Sequence, residues 1–216
     1  MPKDVIKDCL PQHIYMVTSE SPQMPDHNYY NEVQYYQHVA PKRRDDFITG
    51  RNCARKSLQL HGVSPCSIPI GPNREPIWPD GITGSITHCL GFYAAATARQ
   101  TFYRSIGIDA EPNINLPHEI WDLILTSAER NFCKSNSMDK RKFCRIIFSA
   151  KESIYKTIYP LLKEYVDFLD IEILIDGESE TFTAKFPIEI AEKVGLVSIN
   201  GKFATNSKHI FTAAFL

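Results

Sequence analysis

The order of the predicted elements constrains the fold of this chain more than any other feature. A helical stretch begins at Pro41, carries an apolar stripe of Phe47, Ala54 and Leu58, and ends at Gly62. Short strand-like runs follow it. A second helical stretch, "KRKFCRIIFSAKESIYKTIYPLL", is again followed by short strands. Because both halves show a helix and then strands, the sequence predicts an α+β fold made of two similar units.

The boundary between the two predicted units lies near residue 105. We expect an N-terminal α+β half over residues 1–105 and a C-terminal α+β half over residues 106–216. No tandem repeat or low-complexity segment interrupts the chain. The other expected elements are a two-piece helix in which Ser127 caps the second piece, and strands at "GFYAAATAR", "YRSIGIDAEP", "VDFLDIEILI", "ETFTAKF" and "HIFTAAFL".

The composition argues against several classes of function. The formal net charge is −1, so no global charge favours nucleic acid or an anionic membrane as a partner. The six cysteines form no C-x-x-C pair, which argues against a zinc knuckle, and we interpret them as reduced thiols of a cytoplasmic protein. The opening "MPKDVIKDCLPQ" lacks the apolar core of a signal peptide, and no segment approaches the roughly 20 apolar residues of a membrane span.

Two carboxylates close together at the end of a predicted buried strand need a positive partner. In "IGIDAEP", Asp109 and Glu111 are two residues apart and therefore point to the same side of the strand. On the second helix, Glu152 and Lys156 are four residues apart and share a face. If the helix packs beside the strand, three carboxylates converge, which suits Mg²⁺ held together with substrate phosphates. The alternative is a solvated strand end and a surface ion pair contributing about 0.3–0.5 kcal/mol.

Basic side chains that could hold phosphates are concentrated in "KRRDDFITGRNCAR". The chain has neither a P-loop nor a Rossmann glycine motif. Arg51 and Arg55 lie one helical turn apart and can form a fork for a phosphate, although a solvated helix face would give the same spacing. Arg74, in a predicted loop, and His88, which ends "GSITH", are further candidates, and structural roles remain open for both.

Four motifs in order carry a resemblance to a known family. They are "GRNCAR", "REPIWPDGITGSITH", "IGIDAEP" and "FSAKESIYKTIYPL", and they span roughly residues 40–170. This set resembles the 4′-phosphopantetheinyl transferases of the surfactin and enterobactin type, and in particular the mycobacterial-type pattern. The resemblance implies an enzyme that moves the phosphopantetheine arm of coenzyme A to a serine of an acyl or peptidyl carrier protein. It also implies a pseudo-two-fold α+β monomer, with coenzyme A and Mg²⁺ in the cleft between the halves.

The family's catalytic residues match positions in the second half of this sequence. By resemblance, Asp109, Glu111 and Glu152 would ligate Mg²⁺, and Mn²⁺ is an alternative metal ion. Glu152 would also be the base for the carrier serine. Lys156 would bind the bridging or transferred phosphate and offset the charge on the leaving group.

The family's coenzyme A contacts fall mainly in the first half. By resemblance, Lys151 and His88 would contact the pyrophosphate, with Thr87 beside them. Arg43 and Arg51 would hold the adenosine-side phosphates, and helical geometry adds Arg55.

One position departs from the family pattern. Surfactin-type members have a lysine directly before the proline of the loop motif, whereas here Glu75 precedes Pro76 and Arg74 lies one step earlier. The substitution of Arg74 for that lysine is therefore an open question.

Two alternatives to the transferase remain. One is a Mg²⁺-dependent hydrolase that cleaves the coenzyme A diphosphate with water, although the Nudix-type R-E-x-x-E-E pattern is absent. The other is a carrier-binding or coenzyme A-binding module without chemistry. The sequence does not identify the carrier, which fatty-acid, polyketide, non-ribosomal peptide or siderophore synthesis could each supply.

Overall fold

Two antiparallel sheets, each packed against one long helix, organise the described part of the chain. The computed structural model describes residues 9–135 and 140–216. Within them lie six α-helices and eight strands, which confirms the predicted α+β class. Close contacts divide the described residues into two main units, Pro11–Ile106 and Gly107–Leu216.

The N-terminal unit contains a three-stranded sheet covered by one helix. The strand order is β1-β3-β2, and all pairs are antiparallel. Helix α2 packs on β1, β2 and β3, and Leu58 and Ala95 are fully buried. Pro41 occupies its first turn, where a missing N–H costs nothing. The elements are β1 (Ile14–Ser19), α1 (Tyr30–Tyr36), α2 (Pro41–Gln59), β2 (Ile82–Cys89) and β3 (Phe92–Arg99).

The "GSITH" motif lies within β2 and is aligned by its hairpin with β3. The turn uses Leu90 and Gly91, both with positive φ, which places His88 opposite Tyr93. A Cβ on Gly84 would lie 2.6 Å from the ring of Trp78, so only glycine allows this indole to cover the strand. The motif's first residue is therefore needed for packing.

The C-terminal unit contains a five-stranded sheet covered by helix α5. The strand order is β4-β8-β7-β6-β5, and α5 packs most closely on β8. Fully buried apolar residues such as Ile147, Ile154 and Phe182 form its core. The elements are β4 (Ile106–Pro112), α3 (Trp121–Ile124), α4 (Ser127–Ser135), α5 (Lys140–Leu162), β5 (Glu172–Asp176), β6 (Thr181–Lys185), α6 (Ile188–Val194), β7 (Ser198–Thr205) and β8 (His209–Phe215), with 3₁₀ turns at His118–Ile120 and Phe168–Asp170.

Gly107 brings β4 unusually close to α5. A Cβ at this position would lie 2.0 Å from the carbonyl oxygen of Ser153 and 2.5 Å from the hydroxyl of Thr157. Any larger residue would therefore push the strand away from the helix. Since Asp109 follows two residues later on the strand, this contact also sets its distance from α5.

Several details differ from the sequence-based expectations. The N-cap of α4 is Thr126 rather than Ser127: its hydroxyl accepts from the N–H of Glu129, and the Glu129 carboxylate accepts from the N–H of Thr126. Helix α5 continues past Pro160 to Leu162. The sequence analysis missed five elements, which are β1, α1, β2, α6 and β7.

Two further observations concern cysteines and membranes. All six cysteines lie in the described part of the chain, and none forms a disulfide. No helix among the described residues is long and apolar enough to cross a membrane.

Candidate active site

Asp109 is held at the centre of a polar cluster between β4, β8 and α5. Its side chain is almost fully buried. Lys156 of α5 donates to one carboxylate oxygen at 2.7 Å and also reaches the backbone carbonyl of Ile108. The hydroxyl of Ser149 donates to the other oxygen at 2.8 Å and lies 2.9 Å from the hydroxyl of Thr212. Two side chains of α5 therefore hold the two oxygens of the Asp109 carboxylate, and Thr212 of β8 contacts one of these side chains, Ser149.

Glu111 pairs with an arginine that the sequence analysis did not single out. Arg145 of α5 donates from Nη1 to Glu111 Oε2 at 2.7 Å, and it also binds the backbone carbonyls of Ile114 and Asn115. Burial, with added repulsion from Asp109, raises the pKa of Glu111 to about 7, against the opposing attraction of Arg145. The predicted repulsion within "GIDAEP" is therefore present and only partly offset.

Glu152 belongs to the same electrostatic group. Burial raises its pKa; Lys156 opposes this rise and Asp109 adds to it. The charge of Glu152 in turn raises the pKa of Glu111. Burial alone would lower the pKa of Lys156, but Asp109 and Glu152 outweigh it and the net pKa is raised, so Lys156 stays protonated. We call Asp109, Glu111 and Glu152 the acidic cluster.

The carboxylate oxygens of the acidic cluster suit a divalent cation, but they are not arranged around a common point as metal ligands would be. Among the described residues, no group of three or more His, Cys, Asp or Glu side chains is placed to hold a metal ion. Lys156 and Arg145 instead occupy oxygens of Asp109 and Glu111. Buried carboxylates that repel one another match the oxygen ligands of Mg²⁺, and reorienting these side chains would be needed for binding.

Four residues of α5 that interact with the β4 carboxylates form one stripe along the helix. Arg145, Ser149, Glu152 and Lys156 follow one another at spacings of four, three and four residues, so they share one face. This signal was available in the sequence and would have added Arg145 and Ser149 to the candidate set. Thr212, on β8, gave no comparable signal.

Lys151 points away from this stripe and is a structural residue, which disagrees with the expected pyrophosphate contact. Its side chain is fully buried. The ammonium donates to Glu129 Oε2 at 2.7 Å and to the carbonyls of Ile124 and Phe168 at 2.8 and 2.7 Å. Because an ammonium has three donors, none remains for a phosphate.

Arg55 is also used inside the protein, so the expected phosphate fork with Arg51 does not form. Its guanidinium, 2% exposed, pairs with Asp26, donates from Nη1 to both carboxylate oxygens of Glu32, and also donates to Asn52. The five guanidinium donors are arranged around these acceptors.

Arg51 is buried but less completely used. Its Nε donates to the carbonyl of Ile68 at 2.8 Å, and the guanidinium lies 4.5 Å from the ring centre of Phe47. Burial lowers its pKa to about 10. Its predicted contact with a phosphate stays a prediction.

Arg43 and His88 meet on one side of the N-terminal unit. Arg43 Nη1 lies 3.3 Å from His88 Nε2, and Arg43 Nε donates to the hydroxyl of Tyr35 at 3.2 Å. Asp46 lies on the other side of the imidazole, 3.6 Å from Nδ1. A cation and an imidazole side by side are suited to an anionic ligand.

The two other predicted contacts differ in exposure. Thr87 is buried in β2, whereas Arg74 is exposed in a turn with φ of +70°. Glu75, at the departing position, is used by that turn because its carboxylate accepts from the N–H of Asn73. The contacts of Arg74 and Thr87 with coenzyme A stay predictions.

Comparison with known proteins agrees with the motifs. The family profile described as the 4′-phosphopantetheinyl transferase N-terminal domain matches residues 31–98. The profile of the 4′-phosphopantetheinyl transferase superfamily matches residues 105–206. Together the two profiles cover most of the chain.

Relatives with this family name align over most of their length. The 4′-phosphopantetheinyl transferase PptT of Mycobacterium tuberculosis is 38% identical over 81% of this chain and 80% of its own. Enterobactin synthase component D of Escherichia coli K12 is 32% identical over 73% of this chain and 77% of its own. The holo-(acyl-carrier-protein) synthase structure from Thermotoga maritima superimposes with a TM-score of 0.40 at 16% identity, over 51% of this chain and 61% of that chain. From the two profiles and the sequence relatives, this chain belongs to the 4′-phosphopantetheinyl transferase superfamily.

Proposed function

We propose that this protein transfers the 4′-phosphopantetheine arm of coenzyme A to a serine hydroxyl of an apo acyl or peptidyl carrier protein. The serine oxygen forms a bond to the phosphorus that carries pantetheine and gives up its proton. The bond from that phosphorus to the bridging oxygen breaks, and adenosine 3′,5′-bisphosphate leaves with the electron pair. The names of the relatives and the family profiles support this reaction.

The observation that carries the proposal is the meeting of Asp109, Glu111 and Glu152 with Lys156. A diphosphate repels an incoming nucleophile through its negative charge, so its cleavage needs positive charge fixed in place. Lys156, held 2.7 Å from Asp109, provides such a charge. The Lys156 ammonium would then offset the negative charge that shifts to the leaving phosphate.

Glu152 is the group we assign as the base. A serine hydroxyl is a weak nucleophile at its own pKa and needs a positioned acceptor for its proton. Glu152 lies one helical turn before Lys156 and faces the same cluster. The proton of the carrier serine would pass to its carboxylate, directly or through a water.

The acidic cluster is also where we place Mg²⁺, with Mn²⁺ as the alternative. Asp109, Glu111 and Glu152 would hold the ion through oxygen atoms. When bound, the cation would neutralise phosphate oxygens and polarise the reacting phosphorus.

Coenzyme A contacts are assigned to the remaining predicted residues. Arg43, Arg51, Arg74, Thr87 and His88 stay in the proposed set, as does Lys156, whereas Lys151 and Arg55 leave it. The division into an N-terminal half that binds coenzyme A and a C-terminal half that carries the carboxylates belongs to the same proposal, as do a monomeric state and a cytoplasmic location.

Intact-mass analysis of several apo carriers tests the reaction. The protein, coenzyme A and Mg²⁺ would be mixed with carriers from fatty-acid, polyketide, non-ribosomal peptide and siderophore synthesis. An increase in carrier mass equal to one 4′-phosphopantetheine group would support the transfer. The carrier that gains this mass would identify the class of partner. Steady release of adenosine bisphosphate without a carrier would instead support the hydrolase, and no product in either case would support the non-catalytic module.

A further inference from the structure

Asp46, which was not among the candidate residues of the sequence analysis, lies against His88. It is three residues after Arg43 on α2, so both side chains lie on the same side of the helix. Asp46 Oδ2 is 3.6 Å from Nδ1 of His88, and the carboxylate is only 11% exposed, while the imidazole is 36% exposed. A carboxylate this buried needs a donor or a positive charge beside it.

The contacts of the imidazole determine which nitrogen carries the proton. A guanidinium has donors only, so Nε2 of His88, 3.3 Å from Arg43 Nη1, must accept. In the neutral ring the proton then sits on Nδ1, the nitrogen that faces Asp46. The carboxylate and the guanidinium therefore favour the same tautomer from opposite sides.

Two tyrosines fix the groups that surround His88. Tyr93, opposite His88 on β3, is hydrogen-bonded to Asp46, and burial together with the charges of Asp46 and Asp45 raises its pKa. Its phenol therefore stays protonated and donates. Tyr35 accepts from Nε of Arg43. His88 faces Asp46 and Arg43 from α2 and Tyr93 from β3, so the arrangement is built before any ligand arrives.

We propose that Asp46 is a positioning residue that holds the proton of His88 on Nδ1 and so turns Nε2 toward the phosphate that Arg43 binds. This inference rests on the proposed function, because it assumes that the anion is a phosphate of coenzyme A. When a phosphate oxygen takes the place of the arginine donor, Nε2 must donate instead of accept. His88 then takes up a proton from solvent, and Asp46 offsets the charge of the imidazolium.

Coenzyme A affinity without a carrier measures this role. Asp46→Asn is expected to weaken binding about tenfold, because the protonated imidazole would lose the negative charge that lies 3.6 Å from Nδ1. Asp45→Asn is the matched control, since it removes the same charge one residue away, and its affinity is expected to stay within about twofold. Calorimetry in two buffers of different ionisation enthalpy should show proton uptake by the wild-type protein and less uptake by Asp46→Asn.

A ¹⁵N NMR measurement of the His88 ring tests directly which nitrogen carries the proton. At about pH 8, where an ordinary histidine is mainly neutral, the wild-type ring is expected to carry its proton on Nδ1. A proton on Nε2 alone would overturn the proposal, and this measurement decides even if Asp46→Asn does not fold.

The proposed role of Asp46 would also be overturned if Asp46→Asn and the wild-type protein had equal affinity for coenzyme A and equal proton uptake. A wild-type protein that neither binds coenzyme A nor modifies a carrier contradicts the proposed function instead, so the two failures are distinguishable.

Discussion

The two units each bury charged side chains under a long helix, but they balance those charges differently. In the N-terminal unit, Arg51 and Arg55 of α2 face Glu32 and Asp26, so two cations meet two carboxylates. Among the described residues of the C-terminal unit, the three carboxylates of the acidic cluster face two cations, Arg145 and Lys156. When all three carboxylates are ionised, one negative charge is in excess.

This difference separates charges that stabilise packing from charges available for chemistry. A balanced buried group such as Arg55 with Glu32 has its donors and acceptors used inside the protein. Burial, together with repulsion from Asp109, raises the pKa of Glu111 and of Glu152, and the nearby cations offset this rise only in part. An excess of buried negative charge favours a further cation, which supports placing Mg²⁺ there and not at α2.

The strongest test removes the centre of the unbalanced cluster. Asp109→Ala takes away the partner of both Lys156 and Ser149. Turnover in carrier modification is expected to fall by on the order of 10³-fold, because the fixed charges of the site lose their arrangement. Glu178→Gln, an exposed carboxylate in the same unit, is the control. Full activity of Asp109→Ala would contradict the assigned site.

Breaking the buried ion pair between Lys151 and Glu129 should lower the stability of the protein more than its activity. Lys151→Met leaves Glu129 charged and buried without its partner, and should lower the free energy of unfolding by roughly 3–5 kcal/mol. Adding Glu129→Gln should recover part of this loss, since the amide oxygen still accepts and the unpaired charge is gone. Urea unfolding measures both. A Lys151→Met variant with wild-type stability would show that the pair is not structural.

Replacing Lys156 should lower turnover much more than it lowers the affinity for coenzyme A. Lys156→Ala is expected to lower kcat by about 10²-fold, while the Kd for coenzyme A changes by less than about threefold. The physical reason is that charge on the leaving phosphate develops only as the bond breaks. Rapid-quench turnover and calorimetry with coenzyme A give the two numbers. Unchanged kcat would exclude the proposed role.

The smallest predicted effects are changes in the free energy of unfolding, and these changes should have opposite signs in the two units. In metal-free protein, Glu152→Gln should raise the free energy of unfolding, because burial and Asp109 already favour the neutral form of this carboxyl. Glu32→Gln should lower it by about 1–3 kcal/mol, because Arg55 loses a charged acceptor. Urea unfolding in EDTA compares them, and changes of equal sign would disprove the contrast between balanced and unbalanced charges.

Local sequence patterns were enough to predict α2, β4 and α5, which carry most of the candidate residues. The apolar stripe from Phe47 predicted α2, and the run "IGIDAEP" predicted β4. Spacing of two residues on a strand put Asp109 and Glu111 on one side, and spacing of four on a helix did the same for Glu152 and Lys156. Each of these statements needs only the geometry of one element.

Elements without such a pattern were missed for physical reasons. The strand β7 contains Gly201, which weakens a strand signal but is required because the ring of Phe182 would lie 2.1 Å from a Cβ there. The early segment rich in Tyr, His and Pro shows little periodicity, and β1 and α1 were not recognised in it. Their pairing and packing supplied what the local sequence did not indicate.

The sequence by itself determined which residues are charged and which neighbours along one helix or strand share a face. Only the tertiary structure decided which of those charges are neutralised, because the partners are distant in sequence: Glu129 for Lys151, Glu32 for Arg55 and Arg145 for Glu111. Burying an ion requires a partner at that place, and packing alone determines which side chains are brought there. For this reason Lys151 and Arg55, which read as phosphate contacts in the sequence, became structural residues in the fold.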